Sequence, residues 1–313
     1  MKIAGPVLVA SDLSPASDEV IRQAATLAQK AGVGLIACHV MPELLRIRPL
    51  FPHLRDEDRK ETERLREVVS EALGQQLQRV LPRGMPPPEV RLDAGSPHAV
   101  LLQAAQELEA GLIVIGLDAD RGSGSLAGVT ERLARHSKCP VLTVAAGRGI
   151  AVVAATDFSD PALPAVQLGR EEAERRGLPL VIVNAIDLRT SQLDLPEIVS
   201  PSLISRVIES VRREASERIA ELVKRVGPSA RVELREGPAI DEILAVADET
   251  RADLIVVGTH GGSSLGWLAL GSVAEGVMRR ATCSTLVVRL EPWRDASGDR
   301  LGPSRRSRTG TRR

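Results

Sequence analysis

Val7–Leu13 reads VLVASDL and is followed by Ser14-Pro15; the same arrangement returns at Val152–Phe158, VVAATDF, followed by Ser159-Asp160-Pro161. Each is an aliphatic, partly β-branched run that ends in Asp, then meets a Ser and a Pro suited to opening a helix. That is a strand-to-helix junction, and it occurs twice in 313 residues. An internal repeat is therefore the first thing the chain declares, and it agrees with a soft prior of about 150 residues per domain.

From these junctions on, the two halves stay in step. A helical stripe follows each one: Val20, Ile21, Ala24, Leu27 and Ala28 in the first half, and less regularly Val166, Leu168 and Ala173 in the second. Gly32 and Gly177 stand where these helices should stop. Second apolar runs come next, Leu35–Val40 and Leu180–Ile186. Two long charged helices follow. In Arg55–Leu81 the apolar positions are Leu65, Val68, Val69, Ala72, Leu73 and Val80; in Ser202–Val226 they are Ile204, Ile208, Val211, Ala215, Ile219, Leu222 and Val226. Both sets keep the 3.6-residue period of a helix that buries one face. Third strands precede Gly95-Ser96-Pro97 and Gly237-Pro238, and fourth strands, Leu112–Gly116 and Leu254–Gly258, run into Gly-rich loops. A last helix and strand close each half around Val141–Val144 and Thr285–Arg289.

Each half thus reads as five strands alternating with four helices. That order predicts an α/β fold of two tandem doubly wound, Rossmann-like domains. Each should hold a five-stranded parallel sheet with helices on both faces, joined by right-handed crossovers. We place the domains at 1–147 and 148–291, with the boundary near Ala146–Gly149, and a disordered Arg-rich tail at 292–313. Ligands on such sheets sit beyond the carboxyl ends of the strands, where strand order reverses. The loops after the first and fourth strands are where chemistry is expected.

Composition narrows the function classes. With two Phe, two Trp and no Tyr, the cores must be aliphatic, and base-stacking platforms for single-stranded nucleic acid are lacking. The formal charge is zero, but Arg294–Arg313 holds seven Arg and two Asp. Removing these from totals of 41 and 41 leaves 34 basic and 39 acidic residues, a net of −5 for 1–293. A mildly acidic body argues against a nucleic-acid partner. Cys38, Cys139 and Cys283 are widely spaced, with no CxxC pair, and read as buried small hydrophobes in a reducing compartment. With no signal-peptide pattern at the start and no apolar span of membrane length, we expect a cytoplasmic protein with no membrane partner.

The segment richest in chemistry is Gly258–Ser272, GTHGGSSLGWLALGS. Gly258, two residues, Gly261, nine residues and Gly271-Ser272 supply a loop whose backbone amides can approach a phosphate with no Cβ in the way. The helix that opens at Ser272 adds free N–H groups and its dipole. In this spacing the segment resembles the G-x2-G-x9-G-[ST] nucleotide motif of the universal stress protein family, in its ATP-binding branch. The continuation Val273-Ala274-Glu275, with Arg279, Cys283 and Leu286–Arg289, is similar to that family's closing helix and strand, although Ser284 replaces the usual Pro after the Cys. The resemblance covers roughly 1–147 and 148–291. It implies the adenine-nucleotide alpha-hydrolase-like fold, with domains that pair through their last strands. Here that means an internal pseudo-dimer between Val141–Val144 and Thr285–Arg289.

Carried over by position, the resemblance implies that Asp157 holds the adenine or ribose side of the nucleotide, with Ala155 and Thr156 just before it. Ala185 takes the position that packs on adenine, where Val is more usual. Phosphate and ribose contacts fall on Val257, Gly258, His260, Gly261, Gly271, Ser272, Val273 and Ala274. The first half departs from the motif. Ala119 replaces the second glycine, Ala127-Gly128 stand for Gly-Ser, and Asp118 and Asp120 put carboxylates beside any triphosphate, although Asp12 and Val40 keep their places. Its role is expected to be structural.

Other motifs are weaker. Gly122–Ala127 matches a dinucleotide fingerprint, but follows a fourth strand and lacks the acidic residue that fingerprint needs. No phosphate-binding GxxxxGK[ST] occurs, and no metal-ligand set is visible. His39 reads as a satisfied interior histidine, and Trp267 as an anchor of its own loop. The expectation is therefore a stress-response regulatory protein that binds ATP, with or without Mg, and is not an enzyme. Itself, as a homodimer, and unidentified proteins are its expected partners. A slow ATPase or phosphotransferase, and a nucleotide-independent interaction module, stay as alternatives, and cyclic AMP or another adenine ligand is not separated from ATP.

Overall fold

The computed structural model describes residues 3–41, 55–117, 127–147, 149–158, 162–187, 201–226, 230–259 and 270–288. The first half runs β1 (Val7–Ala10), α1 (Ser17–Ala31), β2 (Leu35–Met41), α2 (Arg55–Val80), β3 (Glu89–Ala94), α3 (Pro97–Glu107), β4 (Leu112–Gly116), α4 (Ala127–His136) and β5 (Val141–Val144). The second runs β6 (Ala151–Ala155), α5 (Leu163–Arg176), β7 (Leu180–Ile186), α6 (Pro201–Val226), β8 (Arg231–Glu236), α7 (Ala239–Glu249), β9 (Ala252–Gly258), α8 (Ser272–Arg280) and β10 (Ser284–Val288).

All ten strands form one sheet in the order β3-β2-β1-β4-β5-β10-β9-β6-β7-β8. Pairing is parallel within each half. The halves join where β5 meets β10 antiparallel, with Thr143 opposite Thr285. The expected tandem fold and its internal pairing through the last strands are both present. The junction removes two edges that would otherwise be open. The two remaining edges, β3 and β8, carry Glu89, Arg91 and Asp93, and Arg231, Glu233, Arg235 and Glu236, a charge pattern that resists further strand addition.

The repeat is faithful down to its turns. Leu13 and Phe158 both take left-handed φ, at 67° and 60°. Each donates its N–H at 3.0 Å to a hydroxyl two residues earlier, of Ser11 and Thr156 respectively. Gly32 and Gly177 both close their helices at φ 67°. The helices themselves begin later than the Ser and Pro that announce them, at Ser17 and Leu163.

Side chains fill the layers as the periodicity requires, with two exceptions. Val69, Leu73, Leu77 and Val80 of α2 and Ala215 and Leu222 of α6 are buried, but Val68 is 64% exposed. It lies off the Leu65–Val69–Leu73 stripe, and the polar Gln76 takes a buried place instead. Among the cysteines, only Cys38 is fully buried; Cys139 and Cys283 are half-buried, because each sits in the turn leading into the last strand of its half. On one face a single apolar cluster runs through both halves, from Val7 and Val9 to Val152 and Val288. On the other face the halves keep separate clusters, except that Ala134 of α4 enters that of the second half.

Candidate functional site

In the second half β6 lies between β7 and β9. The chain leaves β6 toward β7 and β8 on one side, and returns on the other as β9 and β10. The carboxyl ends of β6 and β9 therefore flank the point where strand order reverses, the place where parallel sheets of this kind leave a crevice.

Of the residues singled out from the sequence, the described ones lie on the elements around this point. Val153, Val183 and Val257 share a face with Ala274, Val277 and Met278 of α8. Alternation along the strands sets Ala155 and Ala185 on that same face at the carboxyl ends of β6 and β7. Val257 is itself buried, whereas Gly258 ends β9 half-exposed and in register with Val288. Thr156 is buried; its N–H donates to the Val183 carbonyl at 3.0 Å. Asp157 is exposed just past the strand end. His260 and Gly261, like Trp267 and the first-half loop from Asp118 to Leu126, lie outside the described residues.

The start of α8 shows why Gly271 is glycine. Its φ and ψ are −63° and 145°, extended backbone open to any residue. A Cβ there would lie 2.9 Å from the Thr259 carbonyl oxygen, to which the Gly271 N–H donates at 2.7 Å. Thr259 thus holds the loop exit against the strand end. The Gly271 carbonyl accepts the Glu275 N–H at 3.0 Å, beginning the helix. This leaves the amides of Ser272, Val273 and Ala274 as the N–H groups a helix cannot satisfy internally, and among the described residues no side chain caps them. The Ala274 side chain is core, so only its amide is offered.

The residue that sequence reasoning missed is Asn184. It is buried, and its amide donates to the Thr156 carbonyl at 2.8 Å, fixing the turn that presents Asp157. It is the one strongly polar side chain in LVIVNAI, and that was the available signal. In the first half His39 does the equivalent, its Nδ1 donating to the Ser11 carbonyl at 2.7 Å. His39 has a partner, as expected, but is half-buried and not interior.

The matching site in the first half is committed to its own fold. Asp12 accepts from the Ser14 N–H at 2.9 Å and the Ser17 hydroxyl at 2.6 Å. Burial raises its carboxyl, but these hydrogen bonds prevail and hold it below its ordinary value. Gln76 of α2 accepts from the Ser11 hydroxyl at 2.7 Å and donates to the Ser14 carbonyl and to Asp18. In α6, Leu222 has the corresponding place in the buried stripe.

Cavities of about 340, 380 and 440 Å³ lie elsewhere, lined by turns at the amino ends of strands and by the link between the halves. Their walls are shallow and hold none of the residues that converge at the β6–β9 crevice. No group of three or more His, Cys, Asp or Glu that could hold a metal occurs among the described residues. Likewise, no helix there is long and apolar enough to cross a membrane.

The model of the universal stress protein family matches the chain twice, at residues 4–145 and 151–289. A universal stress protein of Mycobacterium tuberculosis is 29% identical over 299 residues, covering 90% of this chain and 96% of its own. One from Methanocaldococcus jannaschii is 33% identical over 138 residues, covering 44% of this chain and 81% of its own. The crystal structure of a universal stress protein from Archaeoglobus fulgidus superposes with a TM-score of 0.53 at 22% identity, over 91% of this chain and 96% of that one, and so shares the fold. Two matches to one family model, spanning most of a sheet built from two like halves, identify the molecule: the chain belongs to the universal stress protein family.

Proposed function

We propose that the second half binds an adenine nucleotide, ATP before others, and that the protein acts as a regulatory binder with negligible turnover. What carries this reading is the uncapped start of α8. Three amides and the positive end of the helix dipole face the carboxyl end of the sheet, beside the glycine that ends β9. Ser272 adds a hydroxyl at the first helical position, while Asp157 and Ala185 mark the nucleoside end of the crevice. Magnesium, where present, arrives with the triphosphate. Occupancy changes what the surface offers a partner.

Support against turnover is chemical. Within the motif no Lys or Arg stands ready to clamp a transferring phosphoryl group, and no carboxylate pair is placed to hold two metal ions. Titration calorimetry with ATP and magnesium, cyclic AMP and adenosine tests the reading. ATP should bind in the micromolar range, with Gly261→Val abolishing it. Labelled ATP should be recovered intact after an hour with the protein. Hydrolysis within minutes would favour the slow ATPase, and no heat with any adenine ligand at millimolar levels would favour the interaction module.

A further inference from the structure

We propose that the first half completes the phosphate end of the second half's site, with Arg135 as the positioning residue. This rests on the nucleotide reading above and assigns part of that site to the domain whose own motif is degenerate. Arg135 lies in the last turn of α4, and its guanidinium meets the Glu275 carboxylate of α8 at 2.7 Å, across the junction between the halves. Neighbouring Ala134 is buried in the second half's core beside Ala274, Val277 and Met278. The two helices are therefore packed together, and the ion pair is held by more than its own attraction.

Glu275 is the acidic residue in the first turn of α8. Helical side chains lean toward the amino end and cover the turn before their own Cα. A carboxylate in this first turn leans toward the amino end of α8, the end that offers amides to a phosphate. Left alone, one full negative charge there would outweigh the half charge of the helix dipole. Arg135 cancels it. The lysine-free phosphate motif thereby gains a cation from the other half, acting through Glu275 and without touching the ligand. Arg279 and Arg280 sit in the last turn of α8, at the opposite end of the helix, and Arg280 pairs with Asp241 of α7.

The experiment compares full-length wild type with Arg135→Gln, Arg135→Lys, Glu275→Gln and the double Arg135→Gln/Glu275→Gln, titrated with ATP plus magnesium and with adenosine. Arg135→Gln should weaken ATP about fivefold, the size expected for one partly screened charge near a polyanion. Arg135→Lys should keep most of the affinity, and Glu275→Gln should match or exceed wild type. The double variant should recover wild-type affinity, and adenosine, which carries no phosphate, should respond to none of them. A merely structural role would instead move ATP and adenosine together and would not be rescued by removing Glu275. ATP binding unchanged in Arg135→Gln, or a double variant as weak as the single, overturns this inference and leaves the nucleotide reading standing. Should Arg135→Gln fail to fold, Arg135→Lys and Glu275→Gln still decide, since a Glu275→Gln that weakens ATP also overturns it. Wild type that binds no ATP overturns both.

Discussion

The Thr143 hydroxyl donates to the Thr285 carbonyl at 3.1 Å and accepts the Thr285 N–H at 3.2 Å, so one side chain of the first half reaches both backbone groups of one residue in the second. Both threonines are fully buried. Beside them, the Ser284 hydroxyl accepts the Ala145 N–H at 3.2 Å. An apolar β5–β10 seam would hold equally well after a register slip; these buried polar contacts are made only in one register.

Thr143→Val should therefore destabilise the protein by about 0.5–1.5 kcal/mol, the net worth of the hydrogen bonds lost from the seam. Urea unfolding monitored by circular dichroism measures this. A loss below a few tenths of a kcal/mol would show that the seam does not depend on the hydroxyl.

Gly149 opens the second half at a crossing of two backbones. A Cβ there would lie 2.2 Å from the Asp253 nitrogen and 2.4 Å from the Arg251 oxygen. Its N–H donates to the Asp253 carboxylate at 2.9 Å, and the next amide, of Ile150, donates to the Arg251 carbonyl at 2.8 Å. Since backbone cannot swing aside as a side-chain tip can, Gly149→Ala should cost about 3 kcal/mol, the upper part of the overpacking range. A Gly147→Ala variant, where φ is 115° but nothing lies close, is the comparison for strain without a clash. Equal stability of wild type and Gly149→Ala in a thermal melt would refute the steric account.

Glu172 is 2% exposed and is held between Arg175 and Arg176, the latter also joined to Asp253. Burial pushes its carboxyl up, but the two guanidinium groups outweigh burial and hold it below its ordinary value of 4.5. A carboxyl depressed in the folded state adds stability above pH 4.5 that is lost as the pH falls through the lower, folded value. Glu172→Gln should then lose roughly 3 kcal/mol at pH 7, as expected for a broken buried pair. Its stability should also fall less steeply than wild type below pH 4.5. Parallel pH profiles for the two proteins would exclude the linkage.

In the proposed site Ala185 takes the position that packs on adenine, with two carbon atoms fewer than Val. If the nucleotide reading holds, Ala185→Val adds contact at the carboxyl end of β7 and should tighten ATP about fourfold if one added carbon is buried and about fifteenfold if both are, at about 0.8 kcal/mol each. Adenosine should gain equally, since the added surface meets the base. Weaker binding of both would place the base elsewhere in the crevice.

Much of the fold is legible in the chain itself. VLVASDL and VVAATDF mark two strand-to-helix junctions, and the helical periods with Gly32 and Gly177 mark what lies between them. The β5–β10 pairing follows from the family resemblance, although not its Thr143–Thr285 register. Less is legible at the site. The spacing of Gly271 points to phosphate chemistry, whereas its φ and its bond to Thr259 show that close approach is what excludes a side chain there. Val68 shows the limit of apolar counting: a residue one helical step off the stripe faces water however apolar it is.

The order and type of the elements are set locally, because the period of apolar residues and the conformational limits of Gly and Pro act over a few neighbouring positions. Three partnerships emerge only from the assembled sheet: the bond between Ser11 and Gln76, which carbonyl receives the Gly271 amide, and the reach of Arg135 to Glu275 across the seam. They join groups whose separation along the chain carries no periodic signal, and they exist only once ten strands have been laid side by side.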